Sequence, residues 1–173
     1  MTLSGVSNYL GTTTVSGGLL VLDGADRLSA LSSLTLAGGS LELASVGRAN
    51  GQTFASLALG ASSAIDLDAS SLTFNGLGTV VAGSRLSVVD YLASGSPDYA
   101  IRFLGDLAGN SSFQTLIAGM TIDGMAVRVR FDGVYTDITA VPEPGSWAML
   151  LAGLVLFGAR VRRRSPSKVS SAS

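Results

Sequence analysis

Leu34-Thr35-Leu36-Ala37-Gly38-Gly39-Ser40-Leu41-Glu42-Leu43 holds the reading of the fold. Two apolar-x-apolar pieces flank a corner of small residues. Period two along each piece places Leu34 and Leu36, then Leu41 and Leu43, on one face, as in a short strand with one buried side. The Gly38-Gly39 pair allows backbone with φ > 0, so the chain can turn sharply between the strands.

The same unit recurs on both sides of this stretch. Upstream it reads Thr13-Thr14-Val15, Ser16-Gly17-Gly18, Leu20-Val21-Leu22. Downstream it reads Leu57-Ala58-Leu59, Gly60 to Ala64, Ile65-Asp66-Leu67, and then Thr79-Val80-Val81, Ala82-Gly83-Ser84, Leu86-Ser87-Val88. The second strands start at 20, 41, 65 and 86, so the period is 21 to 24 residues. A repeat of that size with two or three short strands makes one turn of a β-solenoid. Stacking the turns predicts one interior column of Leu20, Leu41, Ile65 and Leu86, and a second of Leu22, Leu43, Leu67 and Val88. Glu42, Asp66 and Ser87 then point outward. No single turn can bury its own apolar face, so neighbouring turns supply the core. An antiparallel sandwich of similar strands is the competing arrangement.

Residues 8–67 resemble autotransporter-associated β-strand repeats, through stretches such as Asn8-Tyr9-Leu10-Gly11-Thr12-Thr13-Thr14-Val15-Ser16-Gly17-Gly18. The resemblance implies a right-handed parallel β-helix used as a stalk or surface scaffold. A true autotransporter ends in a membrane β-barrel; this chain ends in one hydrophobic segment instead.

From 89 to 140 the pattern changes. Asn110 to Ile117 predicts a short helix, with Asn110 or Ser111 as N-cap. Met125, Val127, Val129 and Phe131 alternate with Arg128 and Arg130, between the turn signals Asp123-Gly124 and Asp132-Gly133. This reads as a small antiparallel cap closing the last turn, since an uncapped end is an open sheet edge.

Composition narrows the function. Charged residues make up 13% of the chain, about half the usual share. Five of the eleven basic residues (Arg160, Arg162, Arg163, Arg164 and Lys168) follow position 159. The rest carries six basic against twelve acidic residues, a net charge of −6. Such a body offers no basic face for phosphates, so no nucleic-acid partner is expected. With no Cys and no His, thiol and imidazole catalysis, disulfides and Cys/His zinc sites are excluded.

The C-terminal stretch has three parts in order. Pro142-Glu143-Pro144 is an extended linker, because each Pro lacks an N–H and forces the residue before it out of helical geometry. Fifteen uncharged residues follow, Gly145 to Ala159, including Trp147, Leu150, Leu151, Leu154, Val155, Leu156 and Phe157. As a helix they reach about 22 Å, a short span for a hydrocarbon core of roughly 30 Å. Snorkelling of Arg160 and thinning of the bilayer make up the difference. Arg160, Arg162, Arg163 and Arg164 close the segment and mark its cytoplasmic end. A buried core helix followed by a solvated basic tail is the alternative. Pro142-Glu143-Pro144, the Gly145-Ser146-Trp147-Ala148-Met149-Leu150 stretch, the short apolar run and Arg162-Arg163-Arg164 together resemble a PEP-CTERM sorting signal. The resemblance implies export from a Gram-negative bacterium, brief anchoring in inner-membrane lipid, and processing near the Pro-Glu-Pro motif by an exosortase. It also implies association with extracellular polysaccharide and biofilm. Two features depart from that family: nine residues follow Arg164, and Met1 opens neither a charged nor an apolar leader segment. The expectation is a C-terminal part of a longer protein, or a misassigned start.

Other candidate sites compete with plainer readings. Asp66 and Asp68 share a strand face and could act as paired carboxylates or hold Ca²⁺, against a solvated outer face, which is favoured. Gly76-Leu77-Gly78 lacks the third glycine of a dinucleotide loop and reads as a turn. Tyr91 and Tyr99 could stack on sugars, but packing is the favoured role. Asn110-Ser111-Ser112 fits a glycosylation acceptor, a triplet common by chance.

The sequence therefore predicts an all-β chain: a right-handed parallel β-helix over 1–90, a small antiparallel cap with a short helix over 91–140, and a sorting signal with one C-terminal transmembrane helix over 141–173. The expected role is an exported structural protein of the cell surface or matrix, with no cofactor and no catalytic residues. The alternatives are a polysaccharide-acting β-helix enzyme and a carbohydrate-binding module.

Overall fold

The computed structural model describes residues 1–44, 51–91 and 99–141. The chain divides into two compact units, Met1–Val141 and Pro142–Ser173; the second lies outside the described residues, and with it the expected transmembrane helix. The first unit is a β-solenoid of about four turns. Its strands are β1 (Thr2–Leu3), β2 (Thr12–Val15), β3 (Leu19–Asp23), β4 (Ser33–Ala37), β5 (Ser40–Ala44), β6 (Gln52–Phe54), β7 (Ser56–Ala61), β8 (Ser63–Asp66), β9 (Leu72–Phe74), β10 (Leu77–Val80), β11 (Leu86–Val89), β12 (Ile101–Leu104), β13 (Met120–Ile122), β14 (Val127–Phe131) and β15 (Tyr135–Ala140). One helix, α1 (Ser111–Ala118), lies between β12 and β13.

Three sheets wrap one core. The first runs β1-β3-β5-β8-β11-β13 and the second β10-β7-β4-β2, every pair in both being parallel. The third runs β14-β15-β12-β9-β6. Parallel stacking rules out the sandwich. Three successive turns, β4-β5-β6, β7-β8-β9 and β10-β11-β12, each contribute one strand to each sheet, in the order second, first, third. The quoted stretch is β4, a corner and β5; Gly38 there takes φ 110°. Leu34, Leu36, Leu41 and Leu43 are all fully buried, which is the alternation read from sequence.

The register corrects one expectation. Leu20 stands beside Leu41 and Leu41 beside Ile65. Ile65 then meets Val88, not Leu86, and Leu86 stands opposite Ser63. The physical reason is where the strand begins. β8 starts at Ser63, two residues before its first large apolar side chain, so alignment on apolar residues misplaces it by two. A two-residue slip keeps every side chain on its face, and Ile65, Leu86 and Val88 are all buried.

Among the described residues, the third sheet holds three of the four largest fully buried side chains. Phe54, Phe74 and Phe103 occupy equivalent positions on β6, β9 and β12. Their rings stack at 5.6 and 5.3 Å between centroids. Phe113 from α1 closes the ladder edge-on to Phe103 at 5.9 Å. Each such contact adds roughly 0.5–1.5 kcal/mol beyond the buried area.

Parallel stacking continues past residue 90, through β12 on β9 and β13 on β11. The second sheet gains no further strand beyond β10 among the described residues; α1 packs against β10 instead. Asn110 caps α1, its side chain accepting from Phe113 N–H at 3.0 Å. Gly119 ends it, where a Cβ would run into the Ser84 carbonyl oxygen. Asp123 and Gly124 both take positive φ and reverse the chain between Ile122 and Met125, the two-residue turn read from sequence. β14 and β15 form the expected antiparallel hairpin. It extends the third sheet through β15 on β12 rather than lying across the end.

Candidate functional site

The sorting-motif residues Pro142, Glu143 and Pro144, the apolar run Gly145 to Ala159 and the basic residues Arg160, Arg162, Arg163 and Arg164 all lie outside the described residues. What the structure places is the point from which they depart. β15 is an inner strand of the third sheet, and Ile138 and Ala140 face the core. Val141, the next residue, donates its N–H to the Ala126 carbonyl at 2.9 Å. The chain is thus tied to the sheet up to the residue before the Pro-Glu-Pro linker. Among the described residues no helix is long and apolar enough to cross a membrane.

The outer face of the third sheet carries a cluster of polar and aromatic side chains. The Arg102 guanidinium lies between the rings of Tyr99 and Tyr135, at 4.5 and 4.2 Å from their centroids. Its Nε–H donates to Thr73 Oγ1 at 3.0 Å. Asp137 stands opposite Arg102 on one side and Arg130 on the other. At the hairpin tip, Asp132 accepts from the N–H groups of Tyr135 and Val134 at 2.6 and 2.7 Å. These bonds, first that from Tyr135, hold its carboxyl below the usual carboxylate range, aided by Arg102 and Arg130. Arg102 is thus held by two rings and Thr73, and Asp132 by backbone N–H groups of its own turn. Sequence reading missed Arg102, because its two stacking partners lie 3 residues before it and 33 after it.

The candidates weighed from sequence fall apart as sites. Asp66 ends β8, and Asp68 sits beyond it in a left-handed conformation with φ 43°. The two do not share a strand face; Asp66 Oδ1 accepts from Asp68 N–H at 3.1 Å, a local turn bond. Asp66 stands beside Glu42 on the outer face of the first sheet. Tyr91 is buried in the core and Tyr99 stacks on Arg102, so both pack. Gly76 precedes β10, whereas Leu77 and Gly78 lie within it, so that triplet is half strand rather than all turn. Asn110 is the helix cap. Among the described residues no three His, Cys, Asp or Glu side chains converge on a possible metal position.

At the N-terminal end a cleft of about 390 Å³ opens beside β2. Its lining includes Met1, Leu3, Tyr9, Val15, Leu20 and Leu28. Sequence reading did not single it out.

Comparison with known proteins identifies one region. Residues 140–164 match the PEP-CTERM protein-sorting motif, beginning at the last residue of β15. The motif marks exosortase-dependent sorting of a secreted or surface protein, with export and a transient stage at the membrane. No curated protein and no solved structure matches the chain.

Proposed function

We propose that this protein is an exported structural scaffold, a β-solenoid body delivered to the cell surface by its C-terminal sorting signal. The observation that carries the reading is the sorting motif at 140–164, joined directly to the last strand of a stacked, self-supporting body. Gly145 to Ala159 form a helix that enters the inner membrane. Arg160, Arg162, Arg163 and Arg164 hold its end on the cytoplasmic side. An exosortase grips the extended Pro142-Glu143-Pro144 linker and cuts near it, and the body leaves for the surface. There it acts without catalysis, as a right-handed stalk or matrix element beside extracellular polysaccharide. The stacking of three sheets around one apolar core supports a structural role.

The test uses the complete gene with its export signal, in a host carrying an exosortase and in an otherwise identical host without one. The uncut form should collect in the inner membrane of the second host alone. Equal processing in both hosts would contradict the reading. Incubating the purified body with acidic and neutral glycans should release no oligosaccharide; sustained release would put an enzyme in place of the scaffold.

A further inference from the structure

We propose that solenoid bodies associate side by side, the outer face of the third sheet of one copy docking through Arg128 and Arg130 on the outer face of the first sheet of the next, at Glu42 and Asp66. The strands divide their charges by sheet. Those of the first sheet carry Asp23, Glu42 and Asp66 and no basic residue. Those of the second carry no charge. Those of the third carry Arg102, Arg128, Arg130 and one acid, Asp137. Side chains on a strand alternate between its two faces. Buried Leu41, Leu43 and Ile65 therefore turn Glu42 and Asp66 outward. Buried Thr136, Ile138 and Ala140 do the same for Asp137 and Thr139, which stand opposite Arg130 and Arg128.

The charges of the two faces complement each other across copies. Glu42 and Asp66 are register partners on adjacent strands, so two carboxylates share one face about 5 Å apart along the sheet, a repulsive pair. The basic residues of this region stand at strand ends: Arg27 donates from Nε to the Asp23 carbonyl, and Arg85 precedes β11. On the third sheet, Asp137 lies between Arg102 and Arg130. Asp106 and Asp132 lie at the tip end of the hairpin, where Gly105 N–H meets the Val134 carbonyl at 2.8 Å. Arg128 is toward the other end, opposite Thr139, with no acid in its cross-strand pair. Arg128 and Arg130 are both exposed and lie about 7 Å apart along one strand. Each guanidinium is a planar fork that matches a carboxylate. The two faces belong to different sheets around one core, so the pairing runs between copies and repeats head to tail. Short strands make each face small, so a single contact is weak and sensitive to salt.

Charge placement carries this pairing, independently of the sorting signal. The test follows the full chain in a nonionic detergent by sedimentation velocity. At roughly 20 mM salt, species larger than a dimer should grow with concentration; near 1 M salt, where charges are screened beyond about 3 Å, they should vanish. Association through the apolar run would survive the salt. Glu42→Gln with Asp66→Asn, and separately Arg128→Gln with Arg130→Gln, should each weaken association at least about ten-fold. Each double variant keeps one face intact, so an equal mixture of the two should recover association and stop at a dimer. Recovery would also show that both variants fold. Absence of salt-dependent association by the parent would overturn the proposal without any variant. A mixture that stays monomeric, although both variants melt as the parent does, would overturn it too. So would association of the parent only on adding Ca²⁺ or an acidic glycan, which would put that ligand in place of the second copy.

Discussion

The side-chain amide of Gln52 grips the backbone of Leu28 from both ends: Oε1 accepts from Leu28 N–H at 3.1 Å, and Nε2 donates to the Leu28 carbonyl at 2.8 Å. β6 is the outermost strand of the third sheet, and no strand pairs beyond it among the described residues. Gln52 is buried at that edge. Its amide has the same donor and acceptor as a peptide group, so it stands in for the missing strand and satisfies a buried backbone that would otherwise lie unpaired.

Gln52→Leu keeps the volume and removes both bonds to Leu28, along with a third from Nε2 to the Thr53 carbonyl at 2.7 Å. Two buried backbone groups then lose their partners, at about 1–3 kcal/mol each. A loss of roughly 2–4 kcal/mol is expected, visible as a lower midpoint in urea. An unchanged midpoint would mean that water replaces the amide.

Leu41 and Glu42 are adjacent and should behave oppositely. Leu41 is fully buried between Leu20 and Ile65. Leu41→Asp puts an unpaired charge there and should cost several kcal/mol. Glu42 lies on the outer face beside Asp66, a like charge. Glu42→Ser should be nearly neutral, and Glu42→Lys mildly stabilising, by a few tenths of a kcal/mol. Thermal melts that rank Leu41→Asp above Glu42→Ser would invert every strand face.

The contrast between sheets shows what could be read from sequence. The first two sheets were legible because β4 and β5, like β2 and β3, are separated only by Gly-rich corners, which leave the alternation unbroken. The third was not. Its strands Gln52-Thr53-Phe54 and Leu72-Thr73-Phe74 have three residues each, too few to display a period. Their shared Phe, twenty residues apart in positions 54 and 74, was the available signal. Phe103 breaks the interval because a longer connection precedes β12. The hairpin was legible from Asp123-Gly124 and Asp132-Gly133. Its docking on β12 was not, since cross-strand pairing over some 35 residues leaves no local mark.

Asp132 gives the hairpin a pH dependence. Its carboxylate is held below its ordinary range by N–H groups of Tyr135 and Val134. A carboxyl depressed in the folded state adds stability above its unfolded value of 3.8, and loses it as pH falls through the folded value. The melting difference between the parent and Asp132→Ala should be full above about pH 5 and shrink steadily below pH 4. A constant difference across that window would remove Asp132 from the account.

In the proposed function, residues 142–164 send this solenoid to the membrane and then release it. Changing Pro142 and Pro144 to Ala leaves the apolar run intact, so insertion should persist. The linker would lose its extended constraint, and the uncut chain should accumulate in the inner membrane. The most direct measurement is the mass of the mature C-terminus, taken from fractionated cells expressing the complete gene beside an exosortase. The expected product is a chain that ends near Pro142-Glu143-Pro144, recovered outside the cytoplasm. A mature protein that keeps residues 145–173 and is soluble in the cytoplasm would contradict it.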